Sequence, residues 1–272
     1  MAVTFLTNKD VSPRNLLDNS DFRSPVNQRD KDAYPGTGYG IDRWRMTVPQ
    51  WMVSLADGCI KVSDNPNDSG TKVGMLRQDL AIDPGLRGKT VTFAAKLKGN
   101  GMCRLNINNH SASIGDYTVK SSDGVEYGDE EWHIRTVTGT VPENAETFFV
   151  ALQSRNMETY FCQWVALYEG TYSADTLPEY RPKGRAAELM ECRRYYVNFG
   201  DMTFRSCLSE DGVHNLNIPF PVPMRVIPTI DATLREPEGG EIPGANVSMQ
   251  GIGYSGLTGK FTLRGVTASA DL

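Results

Sequence analysis

Thr90-Val91-Thr92-Phe93-Ala94-Ala95-Lys96-Leu97 places Val91, Phe93, Ala95 and Leu97 on one side of an extended chain and Thr90, Thr92, Ala94 and Lys96 on the other. That period of two predicts a strand with one buried face. Working outward, Cys103 to Asn108 and Trp132 to Val141 repeat the alternation, while Thr147 to Leu152 and Tyr160 to Tyr168 are apolar enough for central strands. Turn clusters lie between them: Asp64 to Gly70, Asp83-Pro84-Gly85, Lys98-Gly99-Asn100-Gly101, Asp123-Gly124 and Pro142-Glu143-Asn144. Gly, Pro, Asn and Asp stop regular structure for known backbone reasons, so Lys98 to Gly101 is expected to separate two strands. Many short strands at fairly even spacing predict an all-β protein built on an antiparallel sandwich or jelly roll.

The chain reads as three regions. Residues 1–14 are polar without periodicity and read as an arm or linker. Residues 15–182 hold the jelly-roll pattern. The stretch Ser173 to Gly184, with Pro178, Pro182 and Gly184, suits a boundary. Residues 183–272 then open with Arg185 to Cys192, a run of strong helix formers, and continue as a small β domain. Ile218-Pro219-Phe220-Pro221-Val222-Pro223-Met224 cannot be a central strand, because its three prolines lack ladder donors. It is expected to be an extended edge or a polyproline-like crossing, and Pro221, Val222 and Pro223 are candidates for a subunit interface, since such a segment cannot close its own ladder.

Composition excludes several classes. Across 272 residues, 28 Lys and Arg face 33 Asp and Glu, a net charge of −5, and neither half of the chain is basic, so no nucleic-acid footprint is expected. The longest apolar runs, such as Phe148 to Leu152, fall far short of the ~20 residues of a membrane-spanning helix, and no membrane insertion is expected. Met1 to Leu6 shows neither a basic nor an apolar signal region, so no secretory signal is read there and synthesis in the cytoplasm is expected. The five cysteines (Cys59, Cys103, Cys162, Cys192, Cys207) are odd in number and without C-x-x-C spacing, which predicts free, mostly buried thiols.

Catalytic and cofactor signals are weak. Gly251-Ile252-Gly253-Tyr254-Ser255-Gly256 matches G-x-G-x-x-G, but the residues after Gly256 look like strand, so a glycine-rich hairpin is expected instead of a dinucleotide site. No G-x-S-x-G occurs, and His110, His133 and His214 are far apart in sequence. The neighbouring acids Asp129-Glu130-Glu131 and Glu236/Glu238 read as solvated turns, not as a carboxylate pair set across a cleft. No catalytic residue, no cofactor and no assigned metal ligand result. Asp18, Asn19 and Asp21 could supply oxygens to a structural Ca²⁺ ion. Trp44 and Trp164 are expected in the core. Tyr34, Tyr39, Trp51 and Tyr117, in turn-rich stretches, are the candidate glycan-stacking aromatics. Asp42 and Arg43 are expected to make structural ion pairs or hydrogen bonds near Trp44.

Asn15-Leu16-Leu17-Asp18-Asn19-Ser20-Asp21-Phe22, then Asn27-Gln28-Arg29 and Ile41-Asp42-Arg43-Trp44, resemble a family of tail-fibre and related virion proteins in phages and prophages of gut-type bacteria. Val165 to Gly170, Leu177 to Pro182, Glu188 to Tyr196, and Pro221 to Arg225 with Pro228-Thr229 resemble later parts of the same family. The first domain also resembles a carbohydrate-binding-module jelly roll of the galactose-binding-like type. In that family a first-strand Glu and a last-strand Asp help hold Ca²⁺; here Arg23 and Gln163 stand at or near those places. The resemblance implies a noncatalytic virion protein, often a homotrimer, displayed on a tail fibre or other appendage with other virion proteins and binding a host-surface glycan or protein. A glycan-binding module outside a virion, or a polysaccharide-degrading enzyme, are the alternatives.

Overall fold

The structure, a computed structural model, describes residues 13–68, 73–81, 84–111, 115–121, 125–127, 130–145, 147–155, 159–204, 214–235, 245–257 and 261–271. The chain divides into two compact units, Met1–Lys183 and Gly184–Leu272.

The strands of the first unit are β1 (Ala33–Pro35), β2 (Gly38–Tyr39), β3 (Arg45–Met46), β4 (Trp51–Ala56), β5 (Cys59–Asp64), β6 (Val73–Ala81), β7 (Thr90–Ser111), β8 (Gly115–Ser121), β9 (Val125–Tyr127), β10 (His133–Thr140), β11 (Thr147–Arg155) and β12 (Thr159–Glu169). All pairings are antiparallel. Sheet A runs β1-β4-β5-β12-β7-β10, and sheet B runs β2-β3-β6-β11-β7, with β8 and β9 also on β7. This is a jelly-roll-type sandwich.

One strand belongs to both sheets. The expected turn at Lys98 to Gly101 is not a turn, because β7 passes through it without a break for 22 residues. Residues 90–100 of β7 pair with β10 and β12, and residues 101–111 with β11, β8 and β9. A hairpin would have paired the two arms with each other. Instead the glycines let one strand cross from sheet to sheet. Gly99 has φ +144°, and a Cβ there would lie 2.4 Å from the Thr159 carbonyl oxygen.

The alternation in residues 90–97 sets the core as predicted. Val91, Phe93, Ala95 and Leu97 are buried together with Leu76, Phe148, Val150, Leu152, Val165 and Leu167 between the sheets. Full burial of a Leu, Val or Phe side chain contributes about 1.5–3 kcal/mol. Trp44 and Trp164 are buried as expected, at 0% and 6% exposure. Trp51 is a correction: it is 1% exposed and belongs to the same core. Residues 47–50 do turn, but Trp51 opens β4 on its inward face. Gly74 makes room for the indole, since a Cβ there would sit 2.5 Å from Trp51 Cδ1. Phe22 packs edge-on against Trp44, with ring centroids 5.2 Å apart.

Within the first part of the virion-protein resemblance, Asn15, Asn19, Asp42, Arg43 and Trp44 form a buried polar knot. Asn19, at φ +48°, accepts the Val26 N–H at 2.7 Å and donates to the carbonyls of Val26 and Asp42. Its own carbonyl accepts the Trp44 indole N–H at 2.9 Å. Asn15 Oδ1 accepts the N–H groups of Leu17 and Leu167. The Asp42 carboxylate accepts the Gln28 N–H at 2.9 Å and Arg29 Nη1 at 2.8 Å. Arg43 donates to the Asp79 carbonyl and to Asp18, whose carboxylate also accepts Lys183 Nζ at 2.8 Å. Asp42 and Arg43 therefore act structurally near Trp44.

Cys59, Cys103, Cys162 and Cys192 are free and buried, and Cys207 lies outside the described residues. Burial pushes the Cys103 and Cys162 thiols far above their ordinary range, away from the reactive thiolate. Native protein at pH 8 should therefore leave both unlabelled by a thiol-disulfide reagent, and both should react once the protein is unfolded in urea. Rapid labelling of either in native protein would contradict the packing.

The second unit opens with α1 (Arg185–Arg193), at the expected place. It continues with β13 (Tyr196–Phe204), β14 (His214–Pro219), β15 (Thr229–Arg235), β16 (Ala245–Val247), β17 (Gly251–Leu257) and β18 (Phe261–Ser269), in two three-stranded sheets ordered β13-β18-β15 and β14-β17-β16. Val197, Ile218, Phe220, Met224, Ile252, Leu263 and Val266 form its core. β14 is an edge strand that ends on Pro219. The expected extension through Pro221, Val222 and Pro223 is corrected: the chain bends there, between N–H bonds from Phe220 to Gln250 and from Met224 to Met249. A proline cannot donate the next bond, so the ladder stops. The G-x-G-x-x-G stretch lies on β17 between β14 and β16, and the next described element is the strand β18.

Candidate functional site

Strand parity sorts the two outer faces of the sandwich. On sheet B the rows Tyr39–Arg45–Arg77–Ala151–Asn106 and Asp79–Phe149–Asn108 cross neighbouring strands and point away from the core. Arg77 lies over the Phe149 ring, 4.3 Å from its centroid. The Asp79 carboxylate holds both Arg77 and Arg45, at 3.3 Å and 3.4 Å. Asn106 donates to Gln153 Oε1 at 2.9 Å. These contacts fix planar amide and guanidinium groups before any ligand arrives.

The face opens at its β2–β3 end into a groove of about 730 Å³. Tyr39, Arg45, Arg77, Met75, Thr37 and Thr47 line it. The guanidinium of Arg29 lies 5.7 Å from the Tyr39 ring centroid, and Arg29 is itself tied to buried Asp42. The groove thus offers a half-buried aromatic ring, two guanidiniums and two hydroxyl residues. This combination suits a neutral or mildly acidic polyol, with C–H faces for the ring and hydroxyls for the donors.

The outer face of sheet A has two parts. Over one part the exit segment folds back: Trp164, Ala166, Tyr168 and Ala94 are covered by Tyr172, Leu177 and Tyr180. Tyr180 stacks on Trp164 with centroids 4.6 Å apart and planes 6° from parallel, and Arg23 lies over Tyr180. Beyond this cover, Lys61, Phe161 and Lys98 stand side by side on β5, β12 and β7. Trp132 continues the row just before β10, with Lys98 Nζ 5.1 Å and Lys96 Nζ 6.0 Å from its ring. A cleft of about 150 Å³ opens here between Lys98, Gly99, Glu130, Thr159 and Phe161.

No family model and no curated protein matches the sequence. Solved structures do resemble it. A CBM4 structure is 19% identical over 56% of this chain and 99% of its own, with a TM-score of 0.40. A cyclase from Fischerella sp. TAU is 12% identical over 60% of this chain and 99% of its own, at 0.42. The enzymatically active domain of bacteriophage CBA120 tailspike protein 4 is 12% identical over 57% of this chain and 21% of its own, at 0.36. At this level of likeness, what those proteins bind or catalyse does not carry over to this chain.

The aromatics singled out in the sequence do not converge. Tyr39 lines the groove. Tyr34 packs against the core, and its hydroxyl is taken up by Asn27 and the Lys31 N–H. Trp51 is buried, and the side chain of Tyr117 lies outside the described residues. Asp18, Asn19 and Asp21 are separately engaged, by Lys183 and Arg43, by Val26, and by Arg23 at 2.7 Å. Asp21 makes an isolated antiparallel bridge to Trp164 on β12, and Arg23 beside it brings a cation, not a ligand oxygen. Among the described residues no group of three His, Cys, Asp or Glu is placed to hold a metal ion. Sequence reasoning missed Arg45, Arg77, Phe161 and the two lysines over Trp132. Their signal is cross-strand register, which one strand read alone does not contain.

Proposed function

We propose that the chain is a noncatalytic phage virion protein whose jelly-roll unit binds a host-surface glycan in the groove on sheet B. The groove carries this reading: Arg45 and Arg77 held by Asp79, Arg77 over Phe149, and a Tyr39 ring beside Arg29 present donors and an aromatic face to an uncharged or weakly acidic sugar. The virion setting is supported by the resemblance around Asn15 to Trp44, within which the buried knot forms. The described carboxylates that are most buried, Asp42 and Asp79, are committed to arginines, which suits binding better than acid–base chemistry. Homotrimeric assembly, with Pro221, Val222 and Pro223 at the interface, belongs to the same proposal.

The test is a glycan array probed with the full chain and with Tyr39→Ala and Arg45→Ala variants. A defined set of glycans should be retained, with binding at least tenfold weaker in each variant and thermal midpoints unchanged. Retention of no glycan, or equal retention by both variants, would sink the groove assignment. Light scattering should give a mass near three chains, and a single-chain mass would remove the trimer. Absence of the chain from purified particles would leave a glycan-binding module outside a virion.

A further inference from the structure

Lys61, Phe161, Lys98 and Trp132 alternate cation and ring across the outer face of sheet A, opposite the face that carries the groove. Adjacent strands lie about 4.8 Å apart, so the row is roughly 14 Å long. All four side chains are half-buried. Among the described residues no carboxylate comes within 4 Å of the Lys61, Lys96 or Lys98 ammonium groups, although acids outnumber bases in the chain. Lys96 and Lys98 lie over the same indole, at 6.0 Å and 5.1 Å, so two like charges share one ring. Lys98 also lies 5.5 Å from the Phe161 centroid. Ring quadrupoles attract each ammonium but do nothing for the repulsion between them. An anion between the lysines would relieve it.

We infer that this row is a second binding site, for a glycan whose sugars carry carboxylates. The rings take the C–H faces of the sugars, and the lysines on either side of Phe161 take the carboxylates. Glu130, at the lip of the cleft, accepts from sugar hydroxyls and disfavours a ligand that is charged at every position. A nucleic acid or a sulfated polymer has that denser charge, and an uncharged glycan leaves the lysines unanswered.

Affinity electrophoresis of the full chain in gels containing polygalacturonate, hyaluronan or polysialic acid tests this, with dextran as the neutral control and dextran sulfate as the dense-charge control. At least one carboxylated polymer should retard the protein, with dissociation constants raised at least tenfold in Trp132→Ala and in Lys98→Gln. Retardation that Tyr39→Ala abolishes while Trp132→Ala and Lys98→Gln leave it at the parent level would place the carboxylated polymer in the groove and overturn the row. Lys61→Gln gives an independent variant at the far end of the row should Trp132→Ala prove unstable. Retardation by none of the three polymers, or retardation that survives both Lys→Gln changes, would overturn the assignment. So would dextran sulfate binding more tightly with no dependence on Trp132, which is the behaviour of a nonspecific cationic patch. Because the groove and the row carry separate variants, either can fail while the other stands.

Discussion

Gly99→Ala should destabilise the first unit by about 3 kcal/mol or more, lowering its thermal midpoint by roughly 6–12 °C. Two costs add. At φ +144° a residue with a Cβ is strained, by about 1–3 kcal/mol. The new Cβ would also fall 2.4 Å from the Thr159 carbonyl oxygen and 2.8 Å from Tyr160 Cα. Those are backbone atoms of the neighbouring strand, so no rotamer change relieves the clash. Any shift that does so must part β7 from β12, where β7 leaves sheet A for sheet B. Gly58→Ala is the control: it too has positive φ, but a Cβ there meets nothing within 4 Å. It should cost only the backbone term. Calorimetry of the two variants separates strain from crossing geometry, and equal midpoints would mean that Gly99 is not the pivot described.

The same glycine shows where the sequence is legible and where it is not. Inside each strand a period of two is a local property, so the inward faces of residues 90–97 and 147–152 can be read directly. Whether Gly-Asn-Gly reverses the chain or only bends it is decided by the partners of each arm, and these lie far along the chain on β10, β11 and β12. Trp51 escapes a sequence reading for a related reason. The turn before it is real, but its burial depends on Gly74 leaving space on a strand that the sequence does not tie to it. The candidate sites obey the same rule. Tyr39 stands out as a tyrosine among glycines, whereas Arg45 and Arg77, or Phe161 between Lys61 and Lys98, become neighbours only through register.

The knot at the start of the first unit joins that register to function. The Arg29 guanidinium holds Asp42 in the interior and reaches the Tyr39 ring at the groove. Loosening the interior end should therefore be felt where the ligand is proposed to bind. The groove tyrosine sits on a two-residue strand with little ladder of its own, so its position depends on such side-chain supports.

Asp42→Ala is accordingly expected to cost about 3 kcal/mol, toward the lower end of the range for breaking a buried pair. The carboxylate is 1% exposed and satisfies the Gln28 N–H and Arg29 Nη1 together. Its loss takes the carboxylate away from a guanidinium whose side chain is only 15% exposed and removes one acceptor of a backbone donor. Arg29 can still turn partly toward water, which keeps the cost from the upper end. Asp42→Asn should rescue little, because an amide keeps one acceptor and turns its N–H₂ toward a second donor. The double variant Arg29→Ala/Asp42→Ala should be more stable than the sum of the single changes predicts, since it removes the uncompensated charge. Urea unfolding of the four proteins reads this coupling directly. If Asp42→Ala unfolds at the parent midpoint, the pair does not stabilise the fold. If it unfolds early while glycan retention stays at the parent level, the link from Asp42 through Arg29 to Tyr39 does not position the groove.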